Sequence, residues 1–245
     1  MKADDPYMAN GVAALVGAGE FLSVSDRIDI ELLKHITGTA RVAIVPAASA
    51  PDGGDSPQRW AKMGVDHFTR LGATAFPVMA LTRADMQNES FIQQIRSANF
   101  VYFSGGKPRY LLETLTETPF WAAVKDIFAA GGVIAGCSAG AMVMAEYMAD
   151  FPQVWKTLPA LGIAKNLTVI PHFDELPQAI KGPIGAMRHK GYIAGIDGST
   201  ALIGPFEQNT WNIVGRGAVT IYSASGKKQY PSGSVIQLDG KEYKE

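Results

Sequence analysis

The stretch that decides the fold is VIAGCSAGAMVM, residues 133–144. Its first residues have the apolar pattern of a short buried strand, and the residues that follow Ser138 have the composition of a helix. Between the two lies GCSAG at 136–140, a G-x-S-x-G pattern at a strand-to-helix turn. Such a turn is sharp, so the residues two positions before and after the serine must be very small. We therefore predict a tight turn that exposes the Ser138 hydroxyl, followed by a helix over Ala139–Ala149.

Strand-like and helix-like segments alternate along most of the chain, with strands predicted near 12–17, 41–46, 73–79, 100–103, 133–135 and 167–171. This alternation requires right-handed crossovers, which give a mainly parallel sheet covered by helices on both faces. After about residue 195, short strands follow one another directly, which indicates antiparallel pairing at the sheet edge. The predicted fold is a single α/β domain over residues 1–245, a three-layer sandwich with an antiparallel C-terminal extension.

Composition excludes several classes of protein. With 245 residues, 47% apolar and 18% charged, the chain can build a large core and is not a disordered protein. A formal net charge of −1 without a Lys/Arg cluster argues against nucleic-acid binding. Glycines interrupt the uncharged stretch Ile127–Ala145, so we expect no membrane span. One cysteine and four scattered histidines give no disulfide and no metal motif, so we expect a cytoplasmic protein without metal or cofactor.

Two residues of the turn are candidate nucleophiles. Ser138 stands at the centre of the G-x-S-x-G pattern, where its hydroxyl is exposed and the Ala139 N–H faces developing negative charge. A thiol at such a turn is a known variant, but Cys137 would need glycines at positions 135 and 139, where the chain has alanine. We therefore predict that Ser138 is the nucleophile and that Cys137 is a small buried residue.

A serine nucleophile needs a general base. His35 and His67 fall in predicted helices early in the chain, where an exposed or capping role is expected. His189 lies in a basic cluster that would suppress its basicity. His172 directly follows the strand-like LTVIP at 167–171. It is therefore expected at the carboxyl ends of the strands, where the serine turn also lies. The expected base is His172.

A further turn completes the expected site. Ser104-Gly105-Gly106 directly follows the predicted strand Phe100–Phe103. Glycines allow the backbone to approach a substrate closely, so we predict that this turn supplies a second N–H group to an oxyanion hole beside Ser138.

The chain resembles the serine peptidase family of dipeptidase E and cyanophycinase in several segments that keep the family order. They are LVGAGEF (15–21), FSGGKPRYLLETL (103–115), AGCSAGAMVM (135–144), VIPHFDE (169–175), GIDGSTAL (195–202) and VGRGAVTIY (214–222). The resemblance implies a class I glutamine amidotransferase-like fold with a flavodoxin-like sheet. It also implies a serine peptidase in which Ser138 is the nucleophile, His172 the base, and the N–H groups of Gly106 and Ala139 the oxyanion hole.

The resemblance leaves the acid of the triad open. Cyanophycinase-like members carry an acid directly after the Ile-Asp of the GID segment, where this chain has Gly198, preceded by Asp197. We take Asp197 as the expected acid. The alternatives are Asp174, Glu146 and Asp150. The arginine-rich run that follows the cyanophycinase histidine is also missing, so degradation of the aspartyl-arginine storage polymer is not expected.

Basic side chains near the expected site favour an anionic substrate, such as an aspartyl side chain or a peptide terminus. We expect a small peptide as substrate, bound by Gly105, Lys107, Arg109 and Arg188. Phe206 and Trp211, expected to be exposed near the C-terminal strands, favour a homodimer.

Other functions fit the sequence less well. A glutaminase-like amidotransferase subunit shares the fold but needs a cysteine at the position of Ser138. A dinucleotide-binding domain needs a third glycine where the chain has Leu22. An α/β-hydrolase carries its acid between nucleophile and base, and the interval from Ser138 to His172 is short. A non-catalytic binding protein that has lost its acid stays open because of Gly198.

Overall fold

The structure, a computed structural model, describes residues 11–150, 153–184, 191–206 and 209–238. The strands are β1 (Val12–Val16), β2 (Arg41–Val45), β3 (Thr74–Pro77), β4 (Phe100–Phe103), β5 (Val133–Cys137), β6 (Ala145–Asp150), β7 (Gln153–Pro159), β8 (Ala164–Ile170), β9 (Tyr192–Ile196), β10 (Thr200–Phe206), β11 (Thr210–Gly215), β12 (Ala218–Ser223), β13 (Gly226–Pro231) and β14 (Val235–Gln237). The α-helices are α1 (Asp26–Leu33), α2 (Ser56–Arg70), α3 (Glu89–Arg96), α4 (Pro108–Leu115), α5 (Pro119–Ala129), α6 (Ala139–Met144) and α7 (Gln178–Ile184). None of these helices combines the length and the apolar content that a membrane span requires.

The larger sheet has the strand order β14-β11-β10-β1-β5-β4-β2-β3. Strands β1, β5, β4, β2 and β3 run parallel to one another. Strands β10, β11 and β14 continue the sheet beyond β1 in antiparallel pairing. The mainly parallel sheet with an antiparallel C-terminal extension is therefore confirmed.

Both faces of this sheet are buried, because its central strands are apolar at successive positions and successive side chains point to opposite faces. In β4, Phe100 and Tyr102 pack in one cluster with side chains of α1 and α2. Val101 and Phe103 pack on the other side, in a larger cluster that includes α3, α4, α5 and α6. This arrangement makes the three layers that the alternation of strands and helices predicts.

A second sheet, with the strand order β13-β12-β9-β8-β6-β7, was not predicted. It begins where the sequence predicted the second half of a helix over Ala139–Ala149. That helix ends at Met144, and β6 follows at once, paired with β8 in parallel and with β7 in antiparallel orientation. Pairing on both edges overrides the local helical propensity of this segment, as is common for strands inside a sheet.

Two side chains that were expected to be exposed are buried. Trp211 is 1% exposed, its indole N–H donates to Asn209 Oδ1 at 3.0 Å, and its ring lies against Gly204. The expectation that Trp211 is exposed is therefore wrong, while the homodimer itself stays a prediction. His67 on α2 is also buried, with its Nε2 atom 2.8 Å from Asp29 Oδ2 on α1, because the two helices pack side by side on the sheet.

The turn between β5 and α6 leaves no room for side chains at its two outer glycines. A Cβ atom on Gly136 would lie 2.4 Å from the Gly140 carbonyl carbon, and one on Gly140 would lie 2.5 Å from the Phe103 carbonyl oxygen. Both distances are far below van der Waals contact, so a methyl group at either position must displace backbone.

We expect Gly136→Ala to lower the free energy of unfolding by at least about 1–3 kcal/mol, the usual cost of overpacking a core. Gly182→Ala on α7 is the matched control, since a Cβ atom there would meet nothing within 4 Å, and its change should stay within about 1 kcal/mol. Urea denaturation of the two variants and the wild type measures both effects. Equal unfolding free energies for all three proteins would contradict the packing described at this turn.

Candidate active site

Ser138 occupies the tip of the turn between β5 and α6 in a strained backbone conformation. Its φ and ψ angles are 51° and −109°, a region that residues other than glycine rarely adopt. Two hydrogen bonds hold it there. The Ser138 N–H donates to the Val16 carbonyl at 3.0 Å, and the Ser138 carbonyl accepts from the Met142 N–H at 3.0 Å. The half-buried hydroxyl is thereby presented at the carboxyl end of the parallel strands.

His172 lies beside this serine. It follows the carboxyl end of β8, in the second sheet, and has a left-handed backbone conformation with φ 51° and ψ 35°. This conformation turns the ring back towards the first sheet, where Nε2 is 3.0 Å from Ser138 Oγ. The structure thus brings together the two residues that the sequence singled out as nucleophile and base.

The acid that contacts His172 is Glu175, which the sequence analysis did not name. Residues Phe173–Glu175 form one turn of 3-10 helix, and Glu175 Oε2 lies 3.1 Å from His172 Nδ1. In a neutral imidazole this partner makes Nδ1 the protonated nitrogen and leaves Nε2 free to accept the Ser138 proton. A signal was present in the spacing H-x-x-E, because residues three positions apart share one face of a helical turn.

The carboxylates of Asp197 and Asp174 are engaged elsewhere. Asp197 Oδ2 accepts from the Ala218 N–H at 2.9 Å, and burial raises the pKa of this carboxyl group. Asp174 Oδ1 accepts from the Gly198 N–H at 2.7 Å. Neither carboxylate hydrogen-bonds to His172 within the described part of the chain. The structure therefore does not place the expected acid, Asp197, next to the base.

The other two alternatives also have their own partners. Glu146 Oε2 accepts from the Asn166 N–H at 2.7 Å, an interaction that ties β6 to β8. Asp150 Oδ1 lies 2.7 Å from Arg109 Nη2 in an ion pair. Both acids belong to β6 and not to the predicted helix, so they extend along the second sheet instead of over the serine turn.

The turn at Ser104–Gly106 lies against the serine turn, as the pairing of β4 with β5 requires. A Cβ atom on Gly105 would be 3.4 Å from Ser138 Cβ. Gly106 has φ 143° and is exposed to solvent. Within the described ranges, the N–H groups of Gly106 and Ala139 have no hydrogen-bond acceptor. Two backbone donors are thus unused beside the serine hydroxyl.

A buried carboxyl group lies under these two turns. Glu20 is 6% exposed, its Oε1 accepts from the Gly105 N–H at 2.8 Å, and its Oε2 lies 2.9 Å from Cys137 Sγ. Burial, together with the nearby Glu20 carboxylate, raises the pKa of the Cys137 thiol well above its usual value. Cys137 therefore remains a protonated thiol that donates to Glu20, and it is fully buried.

The predicted substrate-binding residues differ in whether their polar groups already have partners within the protein. The Gly105 N–H is used by Glu20. Arg109 is paired with Asp150, whereas Lys107, 62% exposed, has a longer contact of 3.4 Å with Asp52. Arg188 lies outside the described residues.

No metal centre forms among the residues that the structure describes, since no three His, Cys, Asp or Glu side chains there come close enough to ligate an ion.

Comparisons with known proteins identify the family of the chain. A sequence profile of peptidase family S51 matches residues 11–203. A peptidase from an acI-B1 Actinobacterium is 30% identical over 93% of this chain and 96% of that protein, with a TM-score of 0.84. A peptidase E-type protein from Listeria monocytogenes EGD-e shares the fold at 16% identity, over 83% of this chain and 96% of that one, with a TM-score of 0.58. The chain belongs to peptidase family S51.

Proposed function

We propose that the protein is a serine peptidase that hydrolyses an amide bond of a small peptide through an acyl-enzyme. The observation that carries this proposal is a pair of consecutive hydrogen-bond contacts. Ser138 Oγ lies 3.0 Å from His172 Nε2, and His172 Nδ1 lies 3.1 Å from Glu175 Oε2. A nucleophile, a base and an orienting acid in this order are what acyl transfer by a serine requires.

In the first half of the reaction, His172 Nε2 removes the proton from Ser138 Oγ as the oxygen attacks the substrate carbonyl carbon. The carbonyl oxygen becomes an oxyanion and accepts from the N–H groups of Gly106 and Ala139. His172 then gives its proton to the leaving amine, and the C–N bond breaks. In the second half, water attacks the acyl-enzyme while His172 takes its proton, and the acid product leaves Ser138.

Glu175 takes the place of the acid that relatives carry directly after the Ile-Asp of the GID segment. A Cβ atom on Gly198 would lie 3.6 Å from Asp174 Oδ2 and 3.9 Å from Glu175 Oε1. An acid attached at position 198 would therefore enter the space that these two carboxylates now fill. Glycine at 198 places no side chain there, and the Asp174 hydrogen bond to the Gly198 N–H fastens the turn that carries Glu175.

Lys107 is the basic residue best suited to bind a carboxylate of the substrate. It follows Gly106 directly, and its 3.4 Å contact with Asp52 is longer than the 2.7 Å contact that pairs Arg109 with Asp150. We infer that the substrate carries a carboxylate next to the scissile bond, as an aspartyl residue or a peptide terminus does.

The expected compartment is the cytoplasm.

The first test is intact-mass analysis after treatment with a small fluorophosphonate. We expect one covalent adduct on the wild type and none on Ser138→Ala or His172→Ala, because the reagent needs both the hydroxyl and the base. Ser97→Ala is the matched control and should label like the wild type, because this exposed serine lies at the amino ends of the strands, away from the serine turn. A wild type that forms no adduct would favour the non-catalytic binding protein.

The second test separates the acids by the rate of the same labelling reaction. We expect Glu175→Gln to slow labelling about 10- to 100-fold, less than the roughly 10⁴-fold that a buried triad acid supports, because 64% of the Glu175 side chain is exposed. Asp197→Asn, which can still accept from the Ala218 N–H, should stay within about threefold of the wild type. The opposite ranking of the two variants would restore Asp197 as the acid.

The third test addresses Cys137, the second candidate nucleophile at the turn. Since burial raises the pKa of its thiol well above the usual value, the reactive thiolate is nearly absent at pH 8. We expect iodoacetamide to leave the folded protein unmodified at pH 8 and to alkylate one site in guanidinium chloride. Rapid alkylation of the folded protein would contradict the burial and the raised pKa of the Cys137 thiol.

A further inference from the structure

Glu20 is a buried carboxyl residue that the proposed mechanism does not use. It lies between β1 and α1, next to the serine turn, and within the described residues no Lys, Arg or His pairs with its carboxylate. A buried carboxyl group without a cationic partner is costly, so its contacts need an explanation. Both contacts lead to the site, one to the Gly105 N–H and one to the Cys137 thiol.

These two contacts join the two turns that flank the reacting atoms. Gly105 belongs to the turn after β4, and Cys137 is the residue directly before Ser138. One carboxylate therefore bridges the turn that carries the Gly106 donor and the turn that carries the nucleophile. The bridge is tight, because a Cβ atom on Gly105 would lie 3.0 Å from Glu20 Oε1 and 3.4 Å from Ser138 Cβ.

The hydrogen bonds on either side of Gly106 determine the direction of its N–H group. The peptide N–H before it, that of Gly105, donates to Glu20 at 2.8 Å. The peptide N–H after it, that of Lys107, donates to the Ala48 carbonyl at 2.7 Å. Two flanking peptide planes are thus fixed, and the Gly105–Gly106 peptide between them can present its N–H to an oxyanion without rearrangement. Glycine pairs are otherwise free to flip such a peptide.

We propose that Glu20 is a positioning residue, which holds the Ser104–Gly106 turn against the serine turn so that the Gly106 N–H is preorganised for the oxyanion. The proposal rests on the proposed function, because an oxyanion hole has meaning only for acyl transfer. Glu20 touches neither the substrate nor Ser138 Oγ, and it acts through the Gly105 amide. Preorganised donors stabilise an oxyanion because they do not need to reorient as the charge develops.

The test compares Glu20→Leu with Glu20→Gln. Leucine removes the acceptor for the Gly105 N–H while filling the buried space, whereas glutamine keeps an amide oxygen that can accept from it. We expect Glu20→Leu to slow fluorophosphonate labelling of Ser138 by at least about tenfold, since loss of one oxyanion donor outright costs about 10²–10³-fold in rate. Glu20→Gln should restore labelling to within about threefold of the wild type. The final stoichiometry of one adduct should be unchanged in both variants.

Two further measurements separate positioning from general damage. The pH at which labelling reaches half of its maximal rate should be the same in Glu20→Leu and the wild type, because the His172–Glu175 contact is not altered. Hydrogen–deuterium exchange of the peptide that spans residues 104–107 should be faster in Glu20→Leu and close to wild type in Glu20→Gln. This exchange does not depend on catalysis, so it tests the role of Glu20 even if the wild type forms no adduct.

Several results would overturn the proposal. Labelling of Glu20→Leu at the wild-type rate would show that the turn keeps its geometry without the carboxylate. A Glu20→Gln variant as slow as Glu20→Leu would assign the effect to the charge and not to the hydrogen bond. A shifted pH midpoint would place the damage at His172, and unchanged exchange at residues 104–107 would show that Glu20 does not hold the turn.

Discussion

The approach of Gly136 to Gly140 is the contact on which the rest of the site depends. Because no side chain separates the end of β5 from the start of α6, the chain reverses direction within one residue, and Ser138 is left at a positive φ angle. That conformation is unfavourable for serine, and it persists because hydrogen bonds to Val16 and from Met142 fix the turn from both sides. Because the strained turn is held rigidly, the Ser138 hydroxyl has a defined direction. The partners of the hydroxyl are placed relative to that direction.

The partners come from different parts of the fold. Ser138 stands on the first sheet, whereas His172 follows a strand of the second, and the 3.0 Å contact between them depends on how the two sheets meet. Helix α6 makes that connection, since it packs under the serine turn and passes directly into β6. One hydrophobic cluster runs from β4 and β5 through α6 to β8 and β9, so the relative position of nucleophile and base is set by the packing of the core.

Much of this fold could be predicted from the sequence because its strongest signals are local. The strand-turn-helix around Ser138 and the strand before His172 are each encoded within about a dozen residues, and the alternation of strands and helices determines the parallel sheet. The rest depended on contacts between distant segments. The segment 145–150 has no strand pattern in its own sequence and becomes a strand through its pairing with β7 and β8. Glu20 contacts a cysteine that is 117 residues away in the chain. Glu175 was missed for another reason, since its contact with His172 exists only if the residues between them form a helical turn.

That turn also has a consequence for how the base and its acid are held opposite the nucleophile. His172 and Glu175 belong to one four-residue segment, whereas the nucleophile stands at the end of a strand of the first sheet. A displacement of this segment would therefore carry His172 and Glu175 away from Ser138 together. Phe173 anchors the segment, with its buried ring against Gly195 and Tyr222, and Asp174 adds its hydrogen bond to the Gly198 N–H. The packing of the Phe173 ring thus holds both the base and its acid opposite the nucleophile.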